Sequence, residues 1–106
     1  MLVHNVFFSL TDRSPAARRK LLESCRKYLT DHPGVTFFAC GTLAEALQRP
    51  VNDRDFDLAL HIVYSDQAAH DRYQVSERHQ QFVSENKANW ARVRVFDSTT
   101  EPLPDE

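Results

Sequence analysis

The stretch FDLALHIVY, from Phe56 to Tyr64, predicts a β-strand and decides the fold. Successive side chains of a strand point to opposite faces of its sheet. Five large side chains of this stretch then share one face: Phe56, Leu58, Leu60, Ile62 and Tyr64. Ala59 and Val63, on the other face, are apolar too. We therefore expect a strand with apolar side chains on both faces of the sheet.

The chain after this strand predicts a helix and a further strand. Ser65 and Asp66 suit the capping of a long helix over residues 67–86, because short polar side chains satisfy the free amides of a first turn. The sequence ARVRVFD, residues 91–97, predicts the last strand. Residues 98–106 contain two prolines and three acids and predict an extended tail. We expect one domain over residues 1–97.

The chain before FDLALHIVY has the same order of elements. Residues 2–10 are rich in valine and phenylalanine and predict a strand. Ser14 and Pro15 suit a helix start, and Pro33 with Gly34 ends that helix. Residues 35–41, VTFFACG, predict a second strand, and Thr42-x-x-Glu45 resembles a capping box opening a short helical turn.

The predicted order is β-α-β-β-α-β, which is typical of the α+β ferredoxin-like fold. Right-handed crossovers put both helices on one face of a four-stranded antiparallel sheet. The reverse face then carries apolar side chains with no helix to cover them: Val3, Phe7, Phe37, Ala59 and Val63. A second copy of the chain, packed sheet against sheet in a two-fold dimer, would cover this face.

Composition excludes several function classes. The net charge of −2 gives no basic surface for a nucleic acid, and no apolar run is long enough to cross a membrane. The first residues lack the basic flank and cleavage site of a signal peptide. Cys25 and Cys40 lie in apolar surroundings, which favours two free thiols in a reducing compartment, the cytoplasm. Two glycines are too few for a phosphate-binding glycine-rich loop.

Four motifs follow one another in a specific order. HNVFFSLTD begins at His4, FDLALHIVYSD at Phe56, Y-x5-H-x2-FV at Tyr73 and RVRVFDS at Arg92. Together they resemble the stress-responsive dimeric α/β-barrel (Dabb) family. The resemblance implies a homodimer in which two ferredoxin-like sheets close a barrel. Most members of the family have no established reaction.

The second-helix motif also resembles that of a branch of this family, the plant olivetolic acid cyclases. That branch implies a catalytic group of His4, Tyr73 and His79, which closes a polyketide by an aldol step without a cofactor. It also implies a pocket between sheet and helices, with a wall formed by Phe82, Trp90, Leu58 and Val6. Leu58 stands where the branch has a second histidine, and this departure weakens the expectation of the same substrate.

Whether Tyr73 and His79 can share a site depends on the helix between them. Six residues of an unbroken helix rotate by about 600°, which leaves the two side chains about 120° apart. Ser76 suits an N-cap, and Glu77 suits the positive end of a helix. We therefore predict that the helix breaks or restarts near Ser76, which re-aims His79 relative to Tyr73.

If the two side chains converge, a neutral His79 can take a proton next to a carbonyl group. Tyr73 can then donate a hydrogen bond to the enolate oxygen. His4 has the strand parity of Val6 and can orient the pair. The alternative interpretation is that all three are hydrogen-bonded packing residues.

Three functions remain open at this point. The first is a small-molecule pocket, such as that of a cofactor-free cyclase or lyase, for a hydrophobic carbonyl compound. The second is a monooxygenase-like enzyme using Asn5, Trp90 and His79. The third is a module without catalysis. We expect no metal site, because His61 lies on the opposite sheet face from His4, and His70 lies about 180° from His79 on a continuous helix.

Overall fold

The computed structural model describes residues 1–101. Its elements, in chain order, are β1 (Leu2–Leu10), α1 (Pro15–Tyr28), β2 (Val35–Thr42), β3 (Leu58–Tyr64), α2 (Gln67–Val75), α3 (Glu77–Asn86), a short 3₁₀ helix (Lys87–Asn89) and β4 (Trp90–Thr99). The four strands form one antiparallel sheet in the order β2-β3-β1-β4. The ferredoxin-like α+β prediction is confirmed.

The core lies between one face of the sheet and the three α-helices. Two rows of alternating side chains from the central strands form its floor: Val6, Phe8 and Leu10 of β1, and Leu58, Leu60, Ile62 and Tyr64 of β3. The helices cover these rows with Leu21, Leu22, Cys25 and Leu29 from α1 and its end, Ala69 and Tyr73 from α2, and Phe82 from α3. Burial of this apolar surface is the main favourable contribution to the fold.

Local capping explains where the helices begin. The amide of Ala17 donates to the Ser14 hydroxyl at 3.2 Å, and Pro15 occupies the first helical position, as predicted. The amide of Ala69 donates to the Asp66 carboxylate at 2.9 Å and so caps α2. These bonds satisfy amides that have no partner inside a helix.

The reverse face of the sheet is the apolar surface that the sequence predicted. Phe37 and Phe96 are each 55 % exposed there. The β1–β3 and β1–β4 registers pair Val3 with Val63 and Phe7 with Arg94 on the same face. Within residues 1–101, the helices all pack against the other face, so no helix covers this one.

Three boundary predictions are wrong. Phe56 precedes β3, and its ring contacts Phe7 on the reverse face (centroids 5.0 Å apart) instead of extending the Leu58 row. Residues 43–47 contain a turn and no helix, because Thr42 continues β2 and cannot act as a cap. β4 runs two residues further than predicted, since Thr99 pairs with Leu2. Residues 102–106 of the predicted tail lie outside the described residues.

No helix in the part of the chain that the structure describes is both long and apolar enough to cross a membrane.

Candidate functional site

A cavity of about 170 Å³ lies between β1 and β4 on one side and helices α2 and α3 on the other. Its wall is mostly apolar: Val6, Phe8, Leu60, Phe82, Val83, Trp90, Val93 and Val95. Four polar side chains also reach it: His4, Tyr73, Gln74 and His79. An apolar cavity with a few converging polar groups is the usual form of a small-molecule site.

The predicted helix break at Ser76 is present. Ser76 has extended backbone angles (φ −66°, ψ 150°), so α2 ends at Val75 and α3 begins at Glu77. The Ser76 hydroxyl donates to the Tyr73 carbonyl at 2.8 Å and accepts from the His79 amide at 3.2 Å. One side chain thus joins the end of α2 to the start of α3.

The break brings Tyr73 and His79 together. Their ring centroids are 4.8 Å apart and the rings meet edge to face. An unbroken helix would have separated them by about a third of a turn. Tyr73 and His79 therefore converge, as a shared site requires.

His4 approaches the same region from β1. The β1–β4 register pairs His4 with Asp97, and its Nδ1 lies 2.5 Å from the Asp97 carboxylate. Its ring is 6.1 Å from that of Tyr73, between centroids. A carboxylate bound to one ring nitrogen fixes the orientation of the imidazole and leaves the other nitrogen for a second partner.

Burial controls the protonation of these groups. Desolvation is the main cause that lowers the pKa of His79, and the nearby His4, His32 and His70 add to it. Desolvation also lowers the pKa of His4, against the opposing effect of Asp97. Burial raises the pKa of the Tyr73 phenol. At neutral pH, both imidazoles are therefore uncharged and the phenol keeps its proton.

Most of the site residues predicted from the sequence line this cavity. His4, Tyr73 and His79 line it, together with Val6, Phe82 and Trp90. Leu58 does not: it is buried in the core beside Phe8 and Thr42, and Leu60, two residues further along β3, lines the cavity instead.

Asn5 does not join the site. It lies on the reverse face of β1, where its side-chain oxygen is 2.7 Å from Nδ1 of His61. Asn5, Trp90 and His79 therefore do not converge, because neighbouring residues of a strand point to opposite faces.

His70 lies beside the site, although no sequence pattern indicated it. Its ring is 5.1 Å from that of His4 and 5.5 Å from that of Tyr64, between centroids. On one continuous helix, His70 would lie on the opposite side from His79. Its position near the site follows instead from Tyr73, three residues away on α2, because residues three apart share a helix face.

Tyr64 closes the floor beside these rings. It is fully buried, and its ring lies 5.5 Å from that of Tyr73, between centroids. Within residues 1–101, its hydroxyl has no hydrogen-bond partner of normal geometry. Burial is the main cause that raises the pKa of this phenol, and the adjacent Tyr73 contributes.

A larger cleft of about 350 Å³ lies on the other side of Trp90. It lies at the end of β1, the start of α1 and the end of α3, and its lining mixes apolar side chains with polar ones such as Asp12, Lys20 and Glu85. No group of imidazoles or phenols converges on it, so we place the candidate site in the smaller cavity.

Residues 2–100 match the model of the family described as Stress responsive A/B Barrel Domain. No curated protein sequence matches the chain.

Among solved structures, the chain is similar to a Dabb family protein with a ferredoxin-like fold from Mesorhizobium loti (TM-score 0.77, 23 % identity, 95 % of this chain and 97 % of that one). It is also similar to a dimeric ferredoxin-like protein of unknown function from Thermobifida fusca (0.76, 14 %, 93 % and 90 %). A third is the hydroxynitrile lyase of Passiflora edulis (0.74, 19 %, 97 % and 96 %). At these identities the similarity shows the fold.

Proposed function

The chain belongs to the stress-responsive A/B barrel domain family, and on that premise we propose that it is a homodimer that binds a small hydrophobic carbonyl compound in the cavity between sheet and helices. The observation that carries this proposal is the contact between Tyr73 and His79 at the wall of an otherwise apolar cavity.

The dimer interface is the reverse face of the sheet. Phe37 and Phe96 project from it, and Val3, Phe7 and Val63 lie between them, half-buried within the protomer. The Asn5–His61 pair lies among these side chains. A largely apolar surface of this kind is typical of a protein contact. The Thermobifida fusca protein of similar fold, described as dimeric, supports this assembly.

The size of the cavity limits the ligand. An engineered protein cavity of about 150 Å³ holds one benzene molecule, and the cavity here is only slightly larger at about 170 Å³. The ligand is therefore a single substituted ring or a short chain. Long polyketides of the kind expected from the cyclase resemblance would extend beyond the cavity mouth.

The polar groups suit proton transfer at a carbonyl compound. His79 takes a proton from the carbon beside the carbonyl, and the electron pair moves to the carbonyl oxygen. Tyr73 keeps its proton and donates a hydrogen bond to this enolate oxygen. In a cyclisation, the enolate carbon attacks a second carbonyl, and the resulting alkoxide takes the proton back from His79.

A lyase reaction would use the same groups to break a carbon–carbon bond instead of forming one. A hydroxynitrile is a carbonyl compound with cyanide added, so His79 would remove the hydroxyl proton as the bond to cyanide breaks. Cyanide leaves with the electron pair and takes up the proton. The fold similarity to a hydroxynitrile lyase favours this class as the second candidate. A monooxygenase-like role has less support, because Asn5 faces away from the cavity.

Thermal-shift measurements with single-ring carbonyl compounds test the proposal. Benzaldehyde and acetophenone should raise the Tm of the full-length protein, and His79→Gln and Tyr73→Phe should reduce the binding constant roughly tenfold or more, as expected for a lost hydrogen bond to a bound polar group. Tyr28→Phe is the matched control, since the Tyr28 hydroxyl bonds to Glu85 outside the cavity.

Two results would oppose the proposal. Equal ligand affinity in wild type and His79→Gln, with the variant folded and dimeric, would favour a packing role for these residues and a module without catalysis. Heme absorbance on titration, without a response to carbonyl compounds, would favour the monooxygenase-like alternative.

Cys25 and Cys40 are free thiols in the structure. The cytoplasmic location predicted from them stays a prediction.

A further inference from the structure

Three side chains with metal-ligating atoms come together beside the cavity, outside the pair formed by Tyr73 and His79. We propose that His4, His70 and Asp97 form a binding site for a divalent transition-metal ion of the Zn²⁺ type. Each residue offers one ligand atom, and these atoms all lie within 4.8 Å of one another. Neither the sequence patterns nor the family resemblance points to His70.

The three residues sit on separate elements that the fold holds in place. His4 and Asp97 are partners in the β1–β4 register, and their side chains already contact at 2.5 Å. His70 lies in the middle of α2, which Asp66 caps and which Ala69 and Tyr73 anchor in the core. Ligands on strands and helices keep their geometry better than ligands on loops.

The ligand types select the kind of ion. Two imidazoles and one carboxylate suit Zn²⁺ and neighbouring first-row ions, whereas Mg²⁺ and Ca²⁺ prefer oxygen ligands throughout. Zinc–ligand bonds of about 2.0–2.2 Å separate neighbouring ligand atoms by about 3.5 Å. Zinc binding therefore requires the 2.5 Å contact between His4 and Asp97 to open by about 1 Å, and separations of up to 4.8 Å in the cluster to close by about 1 Å. The Asp97 side chain is 43 % exposed and can move to make this adjustment.

Exposure also leaves room for a fourth ligand. The His70 side chain is 17 % exposed and His4 is almost fully buried, so the cluster opens to solvent through Asp97. Three protein ligands with one open position are the usual arrangement of a zinc ion that keeps a bound water.

Tyr64 provides a second, independent observation. Its hydroxyl is buried beside the Tyr73 phenol and makes no hydrogen bond of normal geometry among the described residues. Its ring lies 5.5 Å from His70 and 6.3 Å from His4, between centroids. Buried hydroxyls nearly always have a partner. A metal-bound water beside these two imidazoles would supply one.

The metal site does not depend on the carbonyl ligand, although the two share His4. An ion held by His4 would fix this ring at the cavity wall. His70 and Asp97 do not line the cavity, and Tyr73 and His79 are not in the cluster. The two sites can therefore be tested separately by substitution.

Calorimetric titration of the untagged full-length protein with ZnCl₂ tests the site. We expect one Zn²⁺ per protomer. His70→Gln and Asp97→Asn should each weaken zinc binding roughly tenfold or more, because loss of a residue that only hydrogen-bonds to a metal ligand already has an effect of that size. His79→Gln is the matched control: it also removes one histidine, yet it should keep the wild-type affinity for zinc.

A spectroscopic readout keeps the test valid if one variant folds poorly. Co²⁺ bound to nitrogen and oxygen ligands absorbs in the visible range, and this absorbance should be present in wild type and His79→Gln and lost in folded Asp97→Asn. Three results would overturn the proposal: no zinc binding at millimolar ZnCl₂, wild-type affinity in folded His70→Gln, or binding lost only in Cys40→Ser.

Discussion

His4 and Asn5 are neighbours on β1, yet they lie on opposite faces of the sheet in different surroundings. Each is joined to a partner on an adjacent strand, His4 to Asp97 and Asn5 to His61. Around His4, the helices add Tyr73 and His70 and exclude water, and burial lowers the pKa of His4. Around Asn5, the neighbours are the exposed apolar side chains of the reverse face. The helices therefore enclose the titratable side chains on one face of the sheet and leave the other face free to bind a protein partner.

The largest expected effect concerns the free energy of unfolding, to which the two faces of the sheet contribute differently. Ile62 is fully buried under the helices, so Ile62→Ala should lower the free energy of unfolding by about 2–5 kcal/mol at any protein concentration. The adjacent Val63 lies on the reverse face. Val63→Ala should cost less in dilute protein and more in concentrated protein, because the dimer buries it.

Urea unfolding at two protein concentrations checks this pair of variants. If Ile62→Ala and Val63→Ala lowered the free energy of unfolding equally at both protein concentrations, both faces would be covered within one protomer. That result would contradict the proposed difference between the faces.

The second prediction concerns assembly. Phe96→Asp puts two uncompensated charges into a two-fold interface, so it should weaken dimerisation by at least about a hundredfold. Sedimentation at micromolar concentration should then show single chains. Val75→Asp is the matched control, since Val75 is 71 % exposed on α2 and away from the reverse face. A wild type that sediments as one chain would remove the interface altogether.

The third prediction concerns pH and the enclosed face. Burial lowers the pKa of both His4 and His79, so the unfolded chain binds more protons than the folded protein once pH falls below about 6.5. Stability should therefore be constant above neutral pH and fall as pH falls, by up to about 1.4 kcal/mol for each unit by which a pKa is lowered.

Urea unfolding between about pH 7.5 and pH 5 measures this loss. His79→Gln should show a weaker dependence on pH than wild type, and Tyr73→Phe, which alters the same cavity without removing an imidazole, should keep it. An unchanged dependence in His79→Gln would show that this imidazole is not held in its neutral form by burial.

The two faces also differ in how well the sequence predicted them. Period-two alternation in β1 and β3 assigned residues such as Val6 and Val3 to the correct faces, since strand geometry alone decides this. The capping preference of Ser76, followed by Glu77, predicted the helix break, because helix capping also depends on neighbouring residues alone. Phe56 was assigned to the wrong face, because the strand begins two residues later than the alternation suggested.

The composition of the cavity wall and the position of His70 were beyond local patterns. Which residue of β3 lines the cavity, Leu58 or Leu60, depends on where α3 crosses the sheet, and single-sequence periodicity does not encode that crossing. The contact between His70 and His4 depends on the packing of α2 over β1, a relation between residues far apart in the chain.

The smallest expected effect lies at the rim of the reverse face. Arg92 and Asp55 form an ion pair at 3.5 Å, with side chains 57 % and 68 % exposed. Exposed pairs contribute little because water screens them, so Asp55→Asn should change the free energy of unfolding by about 0–0.5 kcal/mol and should not change dimerisation. Unfolding and sedimentation of this variant, compared with Phe96→Asp, then define how far the interface extends. A loss as large as that of Phe96→Asp would mean that the partner covers the arginine row of β4 and that the interface is wider than its apolar centre.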